Sequence, residues 1–133
     1  MANTLSYTVD GFGGIKEVIA VAVSDETTAL TTGDGKAFFR MPYAFQLSAV
    51  RASVTTAPTD ATLIIDITEG GSTILSTLLT IDATEKTSTT AATPAVISDS
   101  ALANDAEIGI NIDQVGSTVA GAGLKVYLIG TRT

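Results

Sequence analysis

Apolar and polar residues alternate along several short stretches of the chain. In "EIGINID" Ile108, Ile110 and Ile112 fall on one side, and Glu107, Gly109, Asn111 and Asp113 fall on the other. Side chains along a strand point to opposite faces in turn, so this pattern predicts a strand with one buried face. "TLIIDIT" predicts the same with Leu63, Ile65 and Ile67 inward, and "GLKVYLIG" does so with Leu124, Val126 and Leu128. "EVIAVAV" departs from the pattern. Ile19, Val21 and Val23 form one apolar face, and Val18, Ala20 and Ala22 make the other face apolar too. A strand apolar on both faces is usually covered on both, which makes Val18, Ala20 and Ala22 a candidate subunit contact.

Glycine in "TGDG" at 32–35 and "EGG" at 69–71 permits the positive φ of tight hairpin turns, so both are expected to turn the chain. Pro58 and Pro94 punctuate longer connections. "SDSALANDAE", 98–107, reads as one helical turn capped by Ser98 or Asp99 and stopped by Asn104. "KAFFRMPYAF", 36–45, gathers four of the seven aromatic rings. "AFFRM" ends one strand, Pro42 removes a ladder donor, and "YAFQLSAVRASV" continues as another. Along it the apolar phase shifts from Phe45 and Leu47 to Val50, Ala52 and Val54, which predicts a bulge or a passage between sheets. Such a corner leaves a gap that large rings fill, so Phe39 and Phe45 read as core. The alternative is a sugar-stacking platform built on Tyr43.

Seven to eight short strands with frequent turn signals predict an all-β fold, an antiparallel β-sandwich of the jelly-roll kind. Residues 1–14 form an N-terminal arm ending in the glycine-rich joint "DGFGG", and residues 15–133 form a single sandwich domain. Tyr7 and Phe12 are the arm's expected anchors, since aromatic rings supply large contact area at low entropic cost.

The 133 residues are 45% hydrophobic and 16% charged, which predicts an ordered core. Much of the apolar fraction is alanine, and aromatic residues make up only 5% of the chain, so the core is modest and association would add to it. A homo-oligomer, a trimer, is expected. The net charge of -7 excludes nucleic acid and anionic membrane as main partners, because both require clustered Lys and Arg. No apolar run approaches the ~20 residues that span a bilayer, and "MANTLSYTVDGFGG" has neither the basic nor the apolar region of a secretory signal. A soluble protein without an export signal is the expectation.

The chain has no histidine, cysteine or tryptophan. That removes imidazole bases, thiol nucleophiles, the usual zinc sites and His-dependent serine triads. Asp66, Glu69, Asp105, Glu107 and Asp113 could supply a carboxylate pair, but Asp66, Glu107 and Asp113 occupy the polar positions of alternating strands and read as solvated faces. Asp99, Asn104 and Asp105 offer hard oxygens without the spacing or glycine of a calcium loop. "DGFGG" is not followed by the helix and Lys-Ser/Thr of a phosphate cradle. No catalytic residue, cofactor or metal is expected, and the protein reads as a non-enzyme.

Taken in order, "FRMPYAFQLSAVRASVTTAPT", "IDITEGGSTILST", "LTIDATEKTSTTAATPAVIS" and "GLKVYLIGTR" resemble a β-sandwich module of tailed-bacteriophage virion structural proteins, which occurs alone or at the end of tail or fibre proteins. The resemblance covers roughly residues 36–132 and carries no catalytic or ligand residues. It implies a virion component. One compact domain with a short arm, lacking an elongated shaft, fits a capsid decoration (cement) protein. Such a protein would be made in the bacterial host cytoplasm, seated on the capsid exterior, and bound to the major capsid protein through its arm or apolar edge. The rival expectation is a tail- or fibre-associated module that binds a host receptor or glycan through Tyr43 and outward carboxylates.

Overall fold

The structure is a computed structural model that describes residues 15–133. Eleven strands follow one another along the chain: β1 (Glu17–Ala22), β2 (Gly33–Arg40), β3 (Phe45–Ser53), β4 (Leu63–Glu69), β5 (Ser72–Thr73), β6 (Leu75–Thr77), β7 (Leu79–Ile81), β8 (Val96–Ile97), β9 (Ala101–Leu102), β10 (Glu107–Gln114) and β11 (Lys125–Arg132). Sheet A runs β1-β11-β3-β9. Sheet B runs β2-β10-β4-β5, with β7 also on β4, and β6 and β8 form a separate ribbon. Every pairing is antiparallel. The fold is therefore all-β, with sheets that curl into a half-barrel. Among the described residues no helix is long and apolar enough to cross a membrane.

The alternating stretches fall where their patterns place them. Ile108, Ile110 and Ile112 of β10, and Leu63, Ile65 and Ile67 of β4, are buried on the inner side of sheet B. Leu124 joins Val126 and Leu128 of β11 in burial on the inner side of sheet A, so both sheets feed one core. Phe45 is 1% exposed within it, and Phe39 packs against its margin.

The phase shift in β3 is a bulge. Ile129 of β11 pairs with Ala49 while its neighbour Gly130 pairs with Leu47, leaving Ser48 extra. One surplus residue reverses side-chain parity. Phe45 and Leu47 therefore point inward before it, and Ala52 and Val54 after it. The strand stays in one sheet throughout.

The glycine stretches behave differently from each other. Gly70 and Gly71 have φ of 60° and 88° between the paired Glu69 and Ser72, and form the expected two-residue hairpin. The expected turn at 32–35 does not form. Residues 34–36 bulge within β2, between the Gly33–Ile112 and Ala37–Ile110 pairs, and the Gly35 N–H donates to Asn111 Oδ1 at 2.8 Å. Positive φ at Gly35 makes a bulge as readily as a turn, and pairing with β10 decides which.

The helical turn expected at 98–107 is absent as well. Ala101–Leu102 pair with Gln46 and Phe45, and Leu102 is 2% exposed. Burying that leucine outweighs the weak helical propensity of a single turn. A 3-10 turn forms instead at Ser88–Thr90, capped by the Thr87 side chain accepting from the Thr89 N–H.

Candidate functional site

The second apolar face of β1 is exposed. Val18, Ala20 and Ala22 point outward from sheet A, and Val18 is 56% exposed. Antiparallel pairing sets them beside Ile129, Tyr127 and Lys125 of β11, which in turn lie beside Ala49, Arg51 and Ser53 of β3. Tyr127 is fixed by a 3.0 Å hydrogen bond between its hydroxyl and Ser53 Oγ. A groove of about 300 Å³ opens between Val18, Tyr127, Ile129, Arg51 and Thr89. Among the described residues, the outward positions of these three strands carry no carboxylate, whereas Lys16, Arg51 and Lys125 are cationic. Lys125 is paired with Glu26 from the β1–β2 connection at 2.5 Å. The surface is thus an apolar strip beside an exposed guanidinium.

Tyr43 sits elsewhere, at the end of the sheets, in the connection from β2 to β3. Its hydroxyl donates to Glu17 Oε1 at 3.1 Å, and the Arg132 guanidinium lies 4.1 Å from its ring centroid. Arg132 Nε also donates to Glu17 Oε2 at 2.8 Å. The Arg132 hydrogen bond, with a lesser contribution from Tyr43, holds the Glu17 carboxyl below its ordinary range, and the same pairing raises Arg132. Phe45 flanks the ring at a centroid distance of 6.1 Å. One face of Tyr43 is therefore occupied, and the residue clasps β1, β11 and the β2–β3 connection together.

The ring presented to solvent is Phe38. It is 62% exposed on the outer side of sheet B, beside Gly109 of β10 and over Gly35. A Cβ at Gly35 would come within 2.5 Å of its Cε2. Its exposure follows from parity, because two adjacent aromatics in one strand must face opposite sides and Phe39 takes the inner one. The dipeptide "FF" carried that signal.

Sheet B is also the acidic side. Asp66, Glu107 and Asp113 lie at outward positions of β4 and β10, with Asp34 in the β2 bulge. Burial, and then the charges of Asp66 and Asp34, raise the Asp113 carboxyl above its ordinary range. Asp66 accepts from its neighbour's N–H, that of Ile67, at 2.8 Å. Glu69 Oε2 accepts from the Ala103 N–H at 2.9 Å. Asp105 lies in a turn with φ of 62°, its N–H donating to the Met41 carbonyl. Among the described residues no group of His, Cys, Asp or Glu side chains is arranged to hold a metal ion. Tyr7, Phe12 and the glycine joint lie outside the described residues. No family model matches the chain, nor does any curated protein or solved structure.

Proposed function

We propose that the protein is a virion structural protein of a tailed bacteriophage: a non-enzymatic capsid decoration protein that binds the outside of the capsid and stabilises it. The observation that carries the reading is the outer face of sheet A. Ile129 and Tyr127 offer contact area and Arg51 offers one desolvatable cation, a combination suited to gripping another protein, while Val18 and Ala20 at the β1 edge are left for contact between copies. The order of segments described above adds the virion context.

Strand order supports a jelly roll as the finer fold. If β5 and β7 count as one edge element and the β6–β8 ribbon is set aside, eight strands remain, and numbered along the chain they fall in the orders 1-8-3-6 and 2-7-4-5. That is the double Greek key of two-sheet jelly rolls, an architecture that recurs in viral capsid domains. The alternation of the chain between two sheets is what lets a small domain present one whole face outward.

The deciding experiment compares particles with and without the protein for copy number, thermal DNA release and adsorption to host cells. Many copies per capsid, with DNA released at lower temperature in their absence, is the expected result. Unchanged thermal release with lost adsorption would overturn the reading in favour of a host-binding module. Phe38 is the specific observation that favours this second reading: a solvent-facing ring with Asp66 and Asn111 on the same side of sheet B is the kind of platform on which a sugar ring stacks. In that case Phe38→Ala, rather than Tyr43→Ala, abolishes adsorption.

A further inference from the structure

The outer side of sheet B brings an open aromatic ring and two fixed polar groups close together. Phe38 is 62% exposed, yet its ring does not stand free of the sheet. A Cβ at Gly35 would meet its Cε2 at 2.5 Å and its Cζ at 2.6 Å, and a Cβ at Gly109 would meet its Cε1 at 3.0 Å. Both long edges of the ring therefore lie at Cβ height, one over each glycine. The ring lies along the sheet, with main chain beneath it and its other face in water. That face carries partial negative charge, which attracts the polarised C–H groups of a ligand laid across it.

Gly35 also orients the first polar group. Its N–H donates to Asn111 Oδ1 at 2.8 Å, so the amide nitrogen is the free end of that side chain and carries two donors. Asp66 is the register partner of Asn111 on β4. Its Oδ1 accepts from the Ile67 N–H and from the Thr73 hydroxyl, which leaves Oδ2 as an acceptor. β10 and β4 lie roughly 5 and 10 Å from β2, and the ring already reaches over β10 at Gly109. An amide donor and a carboxylate acceptor are thus held beside the ring before any ligand arrives. Adjacent hydroxyls on a sugar ring use such a pair, one donating to the carboxylate and the next accepting from the amide. Charge narrows the class further. Asp34, Asp66, Glu107 and Asp113 make this side acidic, while Lys36 and Arg40 are engaged by Thr31 Oγ1 and the Asp105 carbonyl, so an anionic sugar is repelled.

We propose that the outer face of sheet B binds a neutral hexopyranose, with the apolar C–H face of the sugar stacked on Phe38 and two adjacent hydroxyls bonded to the Asn111 amide and to Asp66 Oδ2. The proposal rests on the platform of the second reading above and names its ligand, but it requires no particular place in a virion. A sugar site on sheet B leaves sheet A free for a capsid contact. The competing role for Phe38 is only to shield two glycines from water, and the choice of variants separates the two.

The test is an NMR titration of the purified protein with the methyl glycosides of glucose, galactose and mannose, and with N-acetylneuraminic acid as the anionic probe. At least one neutral glycoside should shift the Phe38 ring and Asn111 side-chain amide signals, and the anionic sugar should shift neither. Phe38→Leu keeps an apolar cover over the glycines and should weaken binding on the order of tenfold, whereas Phe38→Tyr should retain it. Asp66→Asn keeps the Oδ1 acceptor, replaces Oδ2 by a donor, and should also weaken binding about tenfold. Backbone spectra of each variant report whether it is folded. The proposal is overturned by the absence of shifts with all three glycosides, by equal binding of the anionic sugar, or by wild-type affinity in folded Phe38→Leu. Sugar binding by the purified protein, together with unchanged host adsorption of Phe38→Leu particles, would uphold the site and refute the host-binding reading.

Discussion

Gly130→Ala is expected to destabilise the fold by about 2–3 kcal/mol. Gly130 lies in β11 next to the β3 bulge, paired with Leu47. A Cβ at this position would sit 2.1 Å from the Gln46 carbonyl oxygen and 2.8 Å from Phe45 Cε2. Ordinary carbon–oxygen contacts begin near ~3.3 Å, so β3 would have to retreat by about an ångström. Neither neighbour can yield cheaply, since one is main chain and the other is a ring that is 1% exposed. The overpacking term of ~1–3 kcal/mol is joined by weakened ladder bonds worth about 1 kcal/mol each. Gly109→Ala is the matched comparison. Its Cβ would meet Thr68 Oγ1 at 2.7 Å and the exposed Phe38 ring at 3.0 Å; the ring can swing into solvent and the buried Thr68 hydroxyl must turn from the Gly109 carbonyl it bonds, so a loss of about 1 kcal/mol, smaller than at Gly130, is expected. Both substitutions remove the same backbone freedom from the unfolded chain, so that contribution cancels in the difference. Urea denaturation followed by far-UV circular dichroism measures both. If Gly130→Ala costs no more than Gly109→Ala, the bulge is not held by the contact described.

Ile110→Asp should prevent folding, because Ile110 is fully buried between Ala37 and Ile67 and an unpaired carboxylate there has no partner; a soluble folded variant would refute the assigned strand faces. Asp113→Asn should stabilise the protein at neutral pH. The raised Asp113 carboxyl means that the folded state holds its proton more tightly than the unfolded chain does. Its ionised form therefore opposes folding, and the penalty is relieved as pH falls through the folded pKa. The advantage of the variant should close in acid and shrink in 1 M salt, and a variant less stable than wild type at pH 7 would contradict the assignment. The expected trimer should be seen by light scattering, and Ala20→Glu should leave the fold intact while giving a monomer; a wild-type monomer would refute the trimer, and a trimer that persists in Ala20→Glu would place the contact elsewhere. Under the decoration-protein proposal, Arg51→Glu should weaken binding to capsids without changing the oligomeric state; unchanged binding would refute the place given to Arg51 in that proposal.

Strand faces were legible in the sequence wherever one face is buried, because parity is then enforced by the core: the isoleucines of β4 and β10 needed nothing beyond alternation. The phase change in β3 was legible for the same reason, through the misfit between Leu47 and Val50, but only the pairing with β11 decides for a bulge over a passage between sheets. Glycine was less informative. Positive φ at Gly35 and at Gly70 gives the same local signal, and only the partner strand distinguishes a bulge from a hairpin. The short strand at Ala101–Leu102 lay beyond local reasoning altogether, since its conformation follows from where Leu102 is buried. Tyr43 and Phe38 show the corresponding limit at the surface. The ring of Tyr43 is covered by Arg132 and its hydroxyl is held by Glu17, which are 89 and 26 residues away in sequence, whereas the exposure of Phe38 follows from parity alone.

The two outer faces also constrain how copies can associate. Lys16, Arg51 and Lys125 lie on the outside of sheet A, while Asp34, Asp66, Glu107 and Asp113 lie on the side of sheet B. Stacking face A of one copy on face B of the next would be electrostatically favourable, but it is a head-to-tail contact that continues into open filaments unless its rotation closes. Placing face A directly against face A brings the Arg51 guanidiniums together and meets repulsion. An edge contact through β1 avoids both outcomes. It buries Val18 and Ala20 around a rotation axis and leaves Arg51 two strands away, since β11 separates β1 from β3. A ring closed in this way still presents Arg51, Tyr127 and Ile129 from every copy on one side, with the carboxylates on the other. On the reading proposed above, the side carrying Arg51, Tyr127 and Ile129 would be the one that meets another protein and the carboxylates of sheet B would stay in solvent, which would make the acidity of the whole chain a property of the exposed surface and not of the contact.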